Sequence, residues 1–427
     1  MTPRSERTTR QTGTRPRKTA GKPGVLMPRA AGRILGGLLA VAVPMLLVAC
    51  TSSTGPARPH QPVAAASVPK GPSAAQLAAG RWVRTAAPPI PVCETAAGVW
   101  DGSALVIIES GAAPCHTGAE AYDPATNRWA RLPAPPSPVG RYPLAAWGGG
   151  KLVLVSPRTG SAAAWSPSAR RWARLPRVPA ATVISLTWTG TTFLAITSRQ
   201  AYQATGRAWR LAGRRWRSLP SLPPVWHGWY ASAPAAAVGR SVYVLAHEFH
   251  GKLSKHNISG SSRLLRHTAA GWTVLPLPGP AAQGWALILS PLDGRLLATG
   301  TSCSAMECME EVGDASLITP GAGRSGPHAT ALSPPGGIGL PFPQGIAAGP
   351  KAIVVTYSVG GNTLMGSGAD SRDVRLYDPL TGRWLTGPRA PATYPSPAFW
   401  TPDGVALLGQ GGGWMLRPSG QRHVTSG

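Results

Sequence analysis

Ala121-Tyr-Asp-Pro-Ala-Thr-Asn-Arg-Trp129, Ala164-Trp-Ser-Pro-Ser-Ala-Arg-Arg-Trp172 and Leu376-Tyr-Asp-Pro-Leu-Thr-Gly-Arg-Trp384 are near-copies of one phrase. Each sets an aromatic side chain seven residues before a tryptophan, with turn chemistry between. Asp, Pro, Ser, Asn and Gly in that span favour a chain reversal, and the flanks alternate apolar and polar as half-buried strands do. A Leu-Pro or similar exit follows each Trp. Anchors fall at Trp82, Trp129, Trp172, Trp216, Trp272 and Trp384, spaced 47, 43, 44, 56 and 112 residues apart. The last interval holds two units, the first a degenerate copy near His328 that lacks its Trp. Self-similarity at this period marks a solenoid or a propeller.

A second signal lies between anchors. Trp147-Gly-Gly-Gly-Lys-Leu-Val-Leu-Val155, Val238-Gly-Arg-Ser-Val-Tyr-Val-Leu245 and Pro402-Asp-Gly-Val-Ala-Leu-Leu408 each read as a short strand, a glycine turn and a hydrophobic strand, a hairpin pattern. Hairpin, aromatic strand and Trp strand make four strands per unit, one propeller blade. Hairpin strands beginning near Leu105, Lys151, Thr192, Ser241, Arg295, Lys351 and Val405 give seven blades, with six as the alternative count. The strand at Trp82 starts as an orphan, and Trp414-Met-Leu-Arg417 ends without a Trp partner. Pairing the first strand with the last would complete a blade and remove two open edges. The expected fold is therefore all-β, a closed propeller of four-stranded antiparallel blades.

The Tyr-Asp-Pro-x-Thr-x-x-Trp segments and the following Leu-Pro resemble the kelch-type β-propeller family, over roughly Arg81 to Pro418. Kelch units usually carry a diglycine after the second strand; here only Gly360-Gly361 and Gly411-Gly412 stand there, so the resemblance is to a diverged member.

Ahead of the repeats, Arg29 and Arg33 precede an apolar run from Ile34 to Val48, broken by Gly36, Gly37 and Pro44. A basic start, a short apolar stretch and small residues describe a secretory signal peptide over 1–49, with Met27 an alternative start. The run is short for a membrane span. Leu47-Val-Ala-Cys50 followed by Ser, Thr, Gly and Pro resembles the bacterial lipobox, which implies lipidation at Cys50 and residence on the outer face of the cytoplasmic membrane. Residues 50–80, poor in large apolar side chains, read as a flexible tether. The propeller is expected over 81–418 and a disordered tail over 419–427.

Without Cys50, four cysteines remain: Cys93, Cys115, Cys303 and Cys308. An even remainder in an exported chain suggests disulfides. Of three connectivities, the local Cys93–Cys115 and Cys303–Cys308 are favoured. The formal charge is +26; residues 1–49 hold nine Arg/Lys and one Glu, leaving 33 basic and 15 acidic side chains, or +18. Such a surface attracts anionic headgroups or acidic wall polymers. Arginines beside the repeat Trp have a simpler use, stacking on the indole. Export argues against nucleic acid as a partner.

Subtracting the Trp that the repeat explains leaves Trp226, Trp229 and Trp285. The first two lie with His227 and Tyr230 in a connection between blades, and aromatics crowded around a His suit a ligand-stacking surface. By strand alternation, inter-blade connections share a face with the loops between second and third strands, of which 248–261, 302–314 and 358–373 are lengthened. His247 and His250 stand at the first of these. They do not form the His-Glu-x-x-His helix motif, and no metal or other cofactor is expected. The acidic group Glu307, Glu310, Glu311 and Asp314 lacks a calcium-loop order and reads as charge balance.

No Gly-x-Ser-x-Gly elbow, paired carboxylates or phosphate loop is present. The expected function is a membrane-anchored binding or scaffold module for an envelope protein or polysaccharide. The alternative is an exported carbohydrate-active enzyme on the same face, with His247, Glu248 or Glu310 as acid/base candidates.

Overall fold

The computed structural model describes residues 71–89, 97–109, 118–139, 143–179, 182–198, 206–223, 235–249, 260–277, 285–292, 294–301, 313–321, 326–332, 346–356, 372–391, 398–409 and 412–420. Contacts divide the chain into Met1–Val63 and Ala64–Gly427, and all described residues belong to the second unit.

A short helix, α1 (Ala74–Ala78), leads into β1 (Arg81–Arg84). Blade 1 is β2–β5 (Ala97–Trp100, Leu105–Glu109, Gly118–Asp123, Arg128–Leu132) and blade 2 is β6–β9 (Leu144–Gly148, Lys151–Val155, Ala162–Ser166, Arg171–Leu175). Blade 3 is β10–β13 (Thr182–Trp188, Phe193–Ser198, Gly206–Ala212, Arg215–Ser218) and blade 4 is β14–β17 (Ala235–Val238, Ser241–Phe249, Gly260–Thr268, Gly271–Leu275). Blade 5 is β18–β21 (Trp285–Leu292, Arg295–Thr301, Gly313–Thr319, His328–Leu332) and blade 6 is β22–β25 (Ile346–Gly349, Ala352–Thr356, Val374–Asp378, Arg383–Thr386). Blade 7 is β26–β28 (Ala398–Thr401, Gly404–Gly409, Gly412–Arg417), completed on its outer edge by β1. The expected closure is thus observed, with Arg81 opposite Arg417 and Arg84 opposite Trp414.

The second strand of each blade is apolar at successive positions because both its faces are buried. Leu152 and Leu154 pack toward blade 1, whereas Val153 and Val155 pack toward blade 3. Every other seam repeats this division, giving seven buried clusters for seven seams. The last cluster joins Ala406, Leu408 and Met415 of blade 7 to Leu105, Ile107 and Tyr122 of blade 1. The core is a ring of seams.

The repeated Trp acts across these seams. In five of the six repeat Trp the indole N–H donates to the carbonyl of the residue four beyond the previous blade's Trp. The bonds are Trp129 to Ala86 (2.8 Å), Trp172 to Pro133 (2.7 Å), Trp216 to Pro176 (2.9 Å), Trp272 to Pro220 (3.0 Å) and, across the closure, Trp82 to Pro388 (2.8 Å). Each bond ties a Trp to the exit segment of the preceding blade, so Trp and exit segment recur together; only at Trp216 is the indole itself buried. Ala329 takes the Trp position in blade 5.

The aromatic seven residues earlier lies directly opposite the Trp, with ring centroids 5.0 Å apart for Tyr122–Trp129 and 5.2 Å for Tyr377–Trp384. Trp165–Trp172 is a third such pair. Trp209, also seven residues before its Trp, and Trp414 stand two residues short of this position, and Leu211 and Leu416 face Trp216 and Trp82 instead. Between the two aromatics, Asp123 accepts from the Ala125 N–H and the Thr126 hydroxyl, holding the turn closed. The turn then requires a left-handed residue two before the Trp, supplied by Asn127 (φ 53°), Arg170 (φ 48°) and Gly382 (φ 70°). Asn127 Oδ1 accepts from the Tyr122 hydroxyl and the Ala86 N–H, tying turn to seam. Burial pushes the Tyr122 phenol up to about 12, against the opposing pull of the Arg417 guanidinium.

In blade 4 the aromatic position is His267, its ring 4.7 Å from that of Trp272. Burial first, and the Arg210 guanidinium second, hold its pKa below the ordinary 6.5. The unfolded chain therefore takes up a proton near 6.5 that the folded chain resists. The contribution of His267 is intact above that pH and is lost as pH falls below it. We expect His267→Tyr, which restores the residue type of blades 1 and 6, to narrow the drop in thermal midpoint between about pH 7.5 and 5.5. An equal drop in both chains would refute this account.

The tether expected over 50–80 does not extend through 71–80. Ser73 caps α1 in a reciprocal box with Gln76, a local signal for a helix start. Ala74 and Leu77 are buried in the cluster between blades 6 and 7. Trp400 passes so close to Gly349 that a Cβ there would lie 1.9 Å from the indole, and its other neighbours include Gly71. The tail expected from 419 begins with a fixed residue, since the Ser419 N–H bonds the Gln76 carbonyl (2.9 Å).

Candidate binding face

The two ends of the ring differ. One end carries the hairpin turns between first and second strands and the Asp-Pro turns between third and fourth, most of them tight. The other carries the inter-blade connections and the loops between second and third strands. Residues 71–80 and 418–420 lie at the tight-turn end, because Arg81 and Arg417 are paired there and Arg417 donates to the Pro124 carbonyl of blade 1's turn. The loop end is opposite. It is there that the sequence places its candidate site.

Blade 4 departs from the rest at this end. In blades 2, 3 and 5 the second strand finishes flush with the start of the first, as in the pairs Leu144–Val155, Thr182–Ser198 and Trp285–Thr301. In blade 4 the first strand starts at Ala235, opposite Val244, yet the second runs on to Phe249. Among the described residues, Leu245 to Phe249 pair with Gly260 to Leu264 and with no first-strand residue, a two-stranded ribbon. Five residues at roughly 3.4 Å each carry its tip on the order of 17 Å beyond the level of Ala235. The loop expected over 248–261 is thereby shortened, since Glu248–Ser261 and Phe249–Gly260 are still paired. Strand periodicity continues where polar residues suggested a loop. The ribbon's strands also contact β18 of blade 5.

The backbone of His247 is opposite Ser262 on this ribbon. Trp226, His227, Trp229, Tyr230 and His250 lie outside the described residues, as do Glu307, Glu310 and Glu311 and all five cysteines. The ends that bracket 224–234 are described. After Trp216 the chain continues along the third strand, Leu219 bonding Ala208 (2.9 Å) and Leu222 bonding Gly206 (3.3 Å). Leu222 is buried against blade 4 with Ala235 packed beside it. The segment therefore leaves and rejoins the ring at the seam of blades 3 and 4, next to the ribbon. Trp285, the third unexplained tryptophan, opens blade 5's inner strand at the same end.

Other functional-type residues escaped the pattern reading. Glu120 is fully buried in blade 1's third strand, opposite Ile107 and Arg131. Arg295 of blade 5 donates to the Pro379 carbonyl of blade 6 (3.2 Å), and Arg417 does likewise to Pro124. These arginines brace one blade's Asp-Pro turn from its predecessor. Sequence spacing gives no sign of this, because the partners are 84 and 293 residues apart. Among the described residues, the ring partner of Trp129, Trp172 and Trp384 is the facing aromatic side chain. No helix among the described residues is long and apolar enough to cross a membrane.

Seven four-stranded antiparallel blades closed by the first strand make this chain a seven-bladed β-propeller. No protein-family model matches it, and no curated protein does. Among solved structures, a fungal alcohol oxidase of the AA5 family in complex with copper aligns with TM-score 0.56 and 14% identity, over 79% of this chain and 76% of that one. YjhT aligns with TM-score 0.41 and 14% identity, over 55% of this chain and 83% of its own. Likeness at this identity is one of fold.

Proposed function

We propose that the protein is an exported, lipid-anchored lipoprotein whose diverged kelch-type propeller binds an envelope protein or polysaccharide through the loop end of blades 4 and 5. The observation that carries this is the blade 4 ribbon, in which the pairing of second and third strands runs five residues past the described first strand. It stands beside Leu222 and Ala235, between which the sequence holds Trp226, His227, Trp229 and Tyr230. Binding residues concentrate on connections held by a rigid scaffold, and a seven-seam ring is such a scaffold. The reading requires no chemistry, only rigid display of aromatic side chains.

The test is a glycan array and an envelope pull-down with the full chain, beside the double variant Trp226→Ala/Trp229→Ala. Removing two aromatic anchors should weaken capture at least tenfold. Unchanged capture sinks the site. Glycan turnover abolished by Glu248→Gln would replace binding by catalysis. Membrane fractionation of Cys50→Ser, expected to release the protein, tests the anchor separately.

A further inference from the structure

The outer strands of four consecutive blades each carry a pair of arginines around the repeat Trp. The residue before each Trp is Arg81 on blade 7, Arg128 on blade 1, Arg171 on blade 2 and Arg215 on blade 3. A second arginine follows two residues after the Trp on blades 7, 1 and 2 (Arg84, Arg131 and Arg174), and directly after it on blade 3 (Arg217). All eight are exposed, while the Trp between them turns inward to its seam bond. Charge on an edge strand discourages pairing with another sheet, but one charge per strand would do that. Blade 4's edge, Gly271–Leu275, has no charged residue and blade 5's, His328–Leu332, has no Arg or Lys. The basic track therefore covers one arc of the rim and is absent from the sector that carries the ribbon.

None of the eight arginines is in an ion pair with a described carboxylate. Asp123, the nearest acidic side chain in register with Arg128, spends its oxygens on its own turn. We infer that this rim is a binding track for a linear phosphate-bearing polyanion, laid across the edge strands of blades 7, 1, 2 and 3. Guanidinium groups suit phosphate oxygens because their donors form a planar fork. Blades 7 to 3 are three steps around a seven-membered ring, roughly 150° of convex rim. A planar headgroup surface meets a convex rim at one point, whereas a flexible chain follows it. This inference does not depend on the loop-end reading.

The test uses the full chain in detergent and end-labelled linear polyphosphate, read by fluorescence anisotropy over a salt series. Each phosphate contact contributes about 0.7 to the slope of log K against log salt for a flexible strand. The variant Arg84→Gln/Arg131→Gln/Arg174→Gln/Arg217→Gln should bind at least tenfold more weakly, with the slope reduced by roughly 3. The pair Arg131→Gln/Arg174→Gln should lose about half as much slope, and serves if the quadruple chain melts early. A control with Arg158, Arg207, Arg240 and Lys351 changed to Gln removes the same charge from exposed sites off these edges. It should bind within about threefold of the parent. Equal weakening of both quadruple variants would overturn the track in favour of bulk charge. Tighter, rim-dependent binding to phosphatidylglycerol vesicles than to polyphosphate would overturn it in favour of a membrane surface.

Discussion

Deleting residues 71–84 is expected to abolish cooperative unfolding of the propeller, not merely to lower its midpoint. The deletion removes β1, exposing the edge of β28 along Trp414, Met415, Leu416 and Arg417. It also removes Ala74, Leu77 and Trp82 from the seam of blades 6 and 7, together with the Trp82–Pro388 and Ser419–Gln76 bonds. Burial of a leucine and a tryptophan, a strand's ladder and two further bonds amount to at least 5 kcal/mol. That is comparable to the net stability of a typical domain. The open edge would add aggregation, since unpaired strands template further pairing. Thermal unfolding followed by tryptophan fluorescence checks this. A midpoint within about 2 °C of the parent would mean that the first strand does not close the ring. Adding a peptide of residues 71–84 should restore part of the transition, because the missing element is an edge strand supplied by backbone pairing.

The second large effect is expected at Trp216. It is 8% exposed, packs in the seam of blades 2 and 3, and donates to the Pro176 carbonyl at 2.9 Å. Trp216→Ala should cost about 3–5 kcal/mol from cavity and lost transfer energy. Trp216→Phe keeps most of the bulk and deletes the donor, so its cost should be nearer 1–2 kcal/mol. Denaturant unfolding of the two variants separates packing from the bond. If Phe costs as much as Ala, the bond dominates. If Phe costs nothing, the bond is incidental and the recurrence of Trp needs another cause. Trp172→Phe is a useful comparison: its bond to Pro133 lies in an exposed setting, where water replaces the lost partner and the cost should fall below about 1 kcal/mol.

The blade count and the closure were legible because the repeat is a repeat of contacts. Tyr122 and Trp129 face each other across a turn built from Asp123 to Asn127, so both ends of the signal lie within one hairpin. The run Leu152–Val155 was legible for a related reason: burial on both faces leaves no polar residue in the strand. Failures came where a local pattern had two solutions. Trp209 looks like another aromatic-position residue, yet register places Leu211 opposite Trp216. Ser73 to Ala78 reads as linker by composition, and only the apolar gap between blades 6 and 7 turns Leu77 into a core residue.

The candidate site follows the same division. Subtraction of repeat residues pointed to Trp226, Trp229 and Trp285, and the described backbone puts Trp285 and both ends of 224–234 at the loop end of neighbouring blades. The ribbon of blade 4 could not be read, because His247, Glu248, Ser261 and Ser262 are polar residues that a loop would equally accept. Their pairing is set by backbone hydrogen bonds, which carry no side-chain signature.

By itself, then, the sequence favoured seven blades over six, and determined their internal order and the pairing of first strand with last. These depend on hairpin-range patterns and on which faces must be apolar. The tertiary structure alone decided which carbonyl receives each indole, which turn Arg295 and Arg417 brace, and where the arginines form a continuous track. Those relations join residues of different blades, and neighbouring blades are brought together by closure of the ring rather than by proximity along the chain.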